Sequence, residues 1–331
     1  MFMNPTKWFL LAWPVLLLSF ACSSDQDVEP EPEPTVWTRL AHKPGQAIRG
    51  AAGFSIGDSG YVVSGFYGNE LYTTEVYRYD TGSSTWLRMA DVPLPMVDAT
   101  GFAIGGKGYV FGGFRAEGRL KELWEYDPVP DRWTRKADLP AEPRILAPVL
   151  VLGGQAYLVG GGGVDVKYLD VWRYDPAQDS WTPMSDFPGA GSNSSASFVI
   201  GDRGYICCGI SSASGWAVHR ELWMYEPGLD RWTRKADFGG VARGYAQGVT
   251  LEGKGYVGLG TATNTAPMSL PRELWCYDPA ADTWTRQPEL PASGRAMFTS
   301  FSVGDVGYFG LGGDMYNNDQ KDFWCLAVTN R

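Results

Sequence analysis

The sequence predicts an all-β fold, a six-bladed β-propeller with four antiparallel strands per blade, and three observations carry that reading. Six tyrosines, Tyr61, Tyr109, Tyr157, Tyr205, Tyr256 and Tyr308, stand 48, 48, 48, 51 and 52 residues apart, and each opens a short apolar run that ends in glycine. An acidic–apolar–aromatic triplet follows every one, from Glu75-Val-Tyr77 to Asp322-Phe-Trp324. A Trp-Thr or Trp-Leu pair comes next in five units, at Trp86, Trp133, Trp181, Trp232 and Trp284. Short apolar runs without helical periodicity, repeated about every fifty residues, suit sheets stacked between neighbouring sheets around a ring.

The amino terminus reads as an address. Lys7 precedes an apolar run of about a dozen residues, too short to span a bilayer as a helix of ~20 residues but suited to a secretory signal. The run ends at Leu18-Ser19-Phe20-Ala21-Cys22, which resembles the lipobox of bacterial lipoproteins. That resemblance implies that residues 1–21 are removed and that Cys22 is lipidated. Residues 22–35 are acidic and proline-rich, with Glu29-Pro30-Glu31-Pro32-Glu33-Pro34 at their centre. Such a stretch cannot pack and stays extended, as a tether must. The acidic run after the cysteine is similar to surface-export signals of Bacteroidota lipoproteins. The expected location is therefore the cell envelope, outside the cytoplasm, with the membrane reached through the lipid alone.

Residues 36–331 hold the repeats. In the second unit the reading places strands at about 98–104, 108–112, 122–127 and 132–135. The turns between them are Gly-Gly-Lys-Gly (105–108) and Asp-Pro-Val-Pro-Asp (127–131). The sixth unit lacks its tryptophan, but Trp37-Thr38-Arg39-Leu40 stands ahead of the first. A closed ring accounts for both facts if the segment around Thr35–Leu40 supplies the last strand of unit six. A linear array would need no such clasp.

Composition narrows the function. The chain has 331 residues, 44% hydrophobic and 20% charged, which excludes a disordered chain or a small disulfide scaffold. The net charge of −9 argues against nucleic acid as a partner. Two histidines leave little room for metal chemistry, and no G-x-S-x-G, P-loop, HExxH or zinc spacing occurs. Neither metal nor cofactor is expected. Cys207, Cys208, Cys276 and Cys325 are read as buried free thiols, and the domain as a monomer.

Units two and three carry Gly112-Gly113, Tyr126-Asp127 and Trp133, then Gly160-Gly161, Tyr174-Asp175 and Trp181. This is the kelch signature, and the other units hold degraded forms of it. The chain resembles the kelch-repeat family over about residues 36–328. If the strands run a-b-c-d, the b-c loops and d-a segments share one face, and the b-c loops carry the length variation. Binding usually sits on such loops.

Thirteen residues before the repeat tyrosine stand Arg144, Arg243 and Arg295, with Arg49 one residue out of step. Units two and four depart from this, with Met96-Val97-Asp98 and Ser192-Asn193. In the kelch adaptors of ubiquitin ligases, arginines here line the channel mouth and hold acidic peptides. The resemblance implies a site for an anionic peptide or glycan formed by these four arginines. The same arginines could instead pair with acids of neighbouring units and brace the ring. Of the twelve tryptophans after the signal, Trp216 alone lies outside the repeat pattern, in a small polar b-c loop where an indole could stack on a sugar. The leading reading is a surface-anchored recognition module. The alternative is a carbohydrate-active enzyme, similar to the sialic-acid mutarotases, with Glu70, Glu117, Asp165 and Asp314 on suitable loops, or to galactose oxidase. His42 and His219 give the copper chemistry of the latter little support.

Overall fold

The computed structural model describes residue 1 and residues 35–329, apart from 69–70, 164–165, 212–216, 264–268 and 315–317. The chain divides into two units, Met1–Pro32 and Glu33–Arg331. Every described residue but Met1 belongs to the second. The signal segment, Cys22 and the tether as far as residue 34 lie outside the described residues, as does Trp216.

The second unit is a six-bladed propeller of six four-stranded antiparallel sheets. The first strands, a, are Ala52–Ile56, Thr100–Ile104, Val149–Leu152, Ala196–Ile200, Gln247–Leu251 and Thr299–Val303 in blades 1 to 6. Each touches the a strands on either side, and the sixth touches the first, so the ring closes around a channel. Blade 2 continues with Lys107–Phe111, Leu123–Asp127 and Arg132–Arg135, within two residues of the spans read from the sequence.

Blade 6 is closed by the amino terminus. Its strands Thr299–Val303, Val306–Gly310 and Phe323–Val328 are completed by Thr35–Leu40, paired antiparallel from Thr35 opposite Val328 to Leu40 opposite Phe323. Thr35, placed by the sequence at the end of the tether, is already in the strand and is buried. The Trp37 indole N–H donates to the Pro288 carbonyl of blade 5 at 2.9 Å.

The repeat motifs have separate jobs. In blades 1, 2, 4 and 6 the repeat tyrosine stacks on a phenylalanine opposite it in strand a, as in Phe102–Tyr109 at 5.2 Å and Phe198–Tyr205 at 4.9 Å, while Tyr157 and Tyr256 face Leu150 and Val249. In every blade but the third, where Ala156 stands, a glycine precedes the tyrosine and admits a side chain of the preceding blade. A Cβ on Gly108 would lie 2.2 Å from the Phe54 ring of blade 1. The turn aspartate and the strand-d tryptophan clamp the preceding blade. Asp179 accepts from the Tyr174 hydroxyl (2.7 Å) and from the Ala137 N–H (2.9 Å), while the Trp181 indole donates to the Ala137 carbonyl (2.9 Å). The same clamp recurs through Asp131, Asp230 and Asp282 on Ala90, Ser185 and Ala236. Blade 1 has Ser84 in place of the aspartate and keeps only the Trp86 half, on Ala41.

Three b-c loops are short hairpins and not irregular loops. Phe66–Tyr67 pairs with Leu71–Tyr72, Phe114–Arg115 with Gly118–Arg119, and Ile210–Ser211 with Ala217–Val218. All four domain cysteines are free thiols.

Candidate functional site

The d-a segments form two concentric sets of side chains, and the predicted arginines make the outer one. Arg144 is 1% exposed, and its guanidinium grips the Asp170 carboxylate through both oxygens at 2.7 and 3.0 Å. It also donates to the Gly160 carbonyl at 2.9 Å and lies 4.3 Å over the Tyr168 ring. Arg295 repeats the arrangement on Asp322 at 2.7 and 3.0 Å. Arg243 donates to Glu273 at 2.7 Å and to the Leu259 carbonyl at 3.2 Å. Each acid is the first residue of that blade's own acidic–apolar–aromatic triplet, so the pairing is within a blade and not between neighbours. Burial alone would raise the Asp170 and Asp322 carboxyls. The arginine and indole hydrogen bonds outweigh it and hold both below the ordinary aspartate value. In blade 1 the cation near Glu75 is Lys43, buried 4.3 Å over the Tyr77 ring, its amine lowered to about 8 by burial.

Arg49 alone crosses a seam. It belongs to blade 1 and ion-pairs with Asp319 of blade 6, with its guanidinium 4.3 Å over the Phe66 ring. Asp319 also accepts the Gly68 N–H at 3.1 Å.

The inner set surrounds the channel itself. Gly50, Asp98, Leu146, Ser194, Tyr245 and Met297 occupy one equivalent place, eleven residues before the repeat tyrosines, and all six have φ between 52° and 65°. Five backbone hydrogen bonds link them blade to blade: Gly50 N–H to Met297, Asp98 to Gly50, Leu146 to Asp98, Ser194 to Leu146 and Tyr245 to Ser194, at 2.9 to 3.1 Å. Left-handed backbone is costly for a residue such as leucine or methionine and persists only where the surroundings impose it. Here the linked amides impose it, and a glycine and five unlike side chains surround one opening. The channel behind them has a volume of about 430 Å³ and is walled by small and hydroxyl residues such as Ala52, Thr100, Ser197 and Thr299.

Asp98 is the single charged residue among the described residues lining that channel. It is 6% exposed, and its Oδ1 accepts no hydrogen bond. Burial pushes its carboxyl up to about 7, against the pull of Arg49. Room for it comes from Gly50, since a Cβ there would lie 2.7 Å from Asp98 Oδ1. Tyr245 is held protonated by burial and by the charge of Asp98.

The sequence reading missed this inner set. Arg144, Arg243 and Arg295 recur thirteen residues before the repeat tyrosine and so show as a pattern, whereas the channel residues stand at a place where no two units agree. The signal available was the break it noted at Met96-Val97-Asp98. Of the other loop residues it named, Glu117 is an exposed partner of Arg115 at 3.1 Å, and Asp314 accepts the Asn318 N–H at 3.1 Å. Glu70 and Asp165 lie outside the described residues. His42 bonds Arg39 at 3.0 Å and His219 bonds Ser211 at 2.8 Å, in different blades.

Fold and site together define a propeller with a polar channel opening among variable hairpins. Residues 33–209, more than half of the chain, match the family model of the KLHDC2/KLHL20/DRC7 Kelch-repeats domain. The chain belongs to the kelch-repeat family. Among solved structures, that of YjhT matches with a TM-score of 0.75 at 18% identity, covering 88% of this chain and 98% of that one. A likeness at that identity shows the fold alone. No curated protein matches the chain.

Proposed function

We propose that this protein is a recognition module of the cell envelope, held by a lipid on Cys22, that binds an extracytoplasmic glycan or peptide at the channel mouth on the b-c/d-a face. The observation that carries the reading is the annulus of six unlike residues around an open channel. Most repeat positions that hold the ring together keep their residue types, whereas this place keeps its backbone conformation and no residue type. The anionic ligand expected from Arg49, Arg144, Arg243 and Arg295 would have to compete with a carboxylate already on each guanidinium, so the proposed site is centred on the annulus. Probing glycan and peptide arrays with the chain from Glu33 onward tests the reading. A ligand lost on replacing Tyr245 or Asp98 supports it; one lost only with residues of the opposite face overturns it. For the anchor, Cys22→Ser should release the protein from the membrane fraction.

One observation favours a second reading, a carbohydrate-active enzyme of the sialic-acid mutarotase kind. A carboxyl poised near neutrality in a polar channel is suited to general acid–base work. Following the anomers of N-acetylneuraminic acid by NMR decides it, with Asp98→Asn as the control.

A further inference from the structure

We propose that the channel mouth receives a primary ammonium group, with the Asp98 carboxylate as its counter-ion. The inference rests on the recognition reading above and names the ligand chemistry of the same site.

The argument starts from charge. No other described residue lining the channel carries a formal charge, so one carboxyl is the charge that faces the opening. Three groups bear on it. Arg49 of blade 1 attracts it and is itself ion-paired with Asp319 of blade 6. Tyr245 of blade 5 is a neutral phenol. What remains is a single negative site; its Oδ1 is buried and accepts no hydrogen bond, which leaves the other carboxylate oxygen as the one a ligand would meet.

The shape of the site selects among cations. Asp98 Oδ1, Val97 Cγ1 and Phe66 Cε1 crowd around the bare Cα of Gly50, at 2.7, 3.0 and 3.2 Å from where a Cβ would be. A planar guanidinium needs both carboxyl oxygens free in one plane, and this crowding denies it one. Magnesium or calcium needs about six or more oxygen ligands, and the described residues hold no cluster of three acidic, histidine or cysteine side chains. A compact ammonium with three rotatable donors needs one carboxylate and nearby hydroxyls or aromatic rings. Ser194 and Tyr245 stand on the same annulus, and Phe66 packs toward Phe114 at 6.5 Å beside it.

Binding then carries a proton with it. Below neutrality the buried carboxyl holds its proton, and an arriving ammonium favours the ionised form. The balanced step is carboxylic acid plus ammonium giving a carboxylate–ammonium pair and one proton released to water. Above neutrality the proton is already gone.

Calorimetry on the full chain tests this, in two buffers of different ionisation enthalpy at pH 6 and pH 8. The probes are Nα-acetyllysine amide and the sugar-derived amine glucamine, each with its N-acetylated neutral counterpart. The expected result is that at least one amine binds about tenfold more tightly at pH 8 than at pH 6, with close to one proton released at pH 6 and little at pH 8. Which amine binds separates a lysine side chain from a sugar amine. Asp98→Asn should remove the pH dependence and weaken binding at least tenfold. In case that variant folds poorly, the carboxyl ¹³C signal of Asp98 in the wild type should move to its ionised position when the amine is added at pH 6. The proposal is overturned if neither amine binds, if the acetylated forms bind equally, or if the Asp98 signal does not move. Array ligands that still bind the face in those cases leave the recognition reading standing. No ligand on the face at all removes both.

Discussion

The carboxyl of Asp98 rests on the bare Cα of Gly50 in the neighbouring blade, with Oδ1 2.7 Å from the place a Cβ would occupy. The glycine makes room for an acid that nothing else in the channel neutralises, and the acid shows its cost as a function of pH. Its folded-state value, about 7, lies above the ordinary 3.8. The stability linked to that group is therefore complete below pH ~4 and is lost as pH rises through 7. Asp98→Asn should gain on the wild type by roughly 2–3 kcal/mol between pH 5 and pH 8. Denaturant unfolding of both proteins at the two pH values checks this; parallel curves would show that the carboxyl is not desolvated.

Arg144 is buried and forks onto both oxygens of Asp170, whose side chain is 34% exposed, so water can take over part of what the carboxylate loses when the arginine is removed. Arg144→Ala should destabilise the domain by about 1.5–3 kcal/mol, the worth of a charge-assisted hydrogen bond. Arg144→Lys should recover only part, because an ammonium cannot take both carboxylate oxygens in one plane. Any ligand bound at the channel should then be lost only as far as the protein unfolds. A ligand lost from a normally stable Arg144→Ala protein would make this arginine a contact residue.

The interblade clamp gives a graded series. Asp179→Ala removes bonds to Tyr174 and Ala137 and should cost about 1–3 kcal/mol. Ser84 sits at the corresponding turn of blade 1 with φ of 55°, a backbone that aspartate tolerates well. Ser84→Asp should therefore be neutral or stabilising by up to ~1 kcal/mol. Melting temperatures of the two variants separate clamp from turn: a loss in both would mean that the turn and not the clamp sets stability.

Deleting residues 35–40 takes away the outer strand of blade 6 and the Trp37 bond to Pro288. The remaining edge, Phe323–Val328, is left unpaired. The whole domain, and not just one blade, should melt at lower temperature, since each blade is clamped by the next. Unchanged melting would mean that the ring does not depend on its clasp.

The fold was legible because each blade spends the same residue types on the same tasks. Tyr109 stacking on Phe102, Trp181 holding Ala137 and Trp37 completing blade 6 are all visible as spacing before any coordinates exist. The arginine positions were legible too, but not their partners. Asp170, Glu273 and Asp322 each open the acidic–apolar–aromatic triplet of their unit, yet only the three-dimensional turn of the chain brings them to Arg144, Arg243 and Arg295. The annulus was the least legible. Periodicity reveals what a repeat retains, and Gly50, Asp98, Leu146, Ser194, Tyr245 and Met297 share a backbone conformation but no side chain.

The pairing of Thr35 with Val328 also sets the order of folding. The hairpins of blades 1 to 5 join residues close in sequence and form early, whereas the clasp joins the two ends of the domain and must wait for its partner strand. Until then the chain is an open arc with an unpaired strand on blade 6 and a loose strand that fits it. At high protein concentration that loose strand can be supplied by another molecule as readily as by its own. Strand-exchanged dimers and longer chains of propellers are thus the characteristic misfolded products of this architecture, favoured by concentrated refolding and suppressed by dilution.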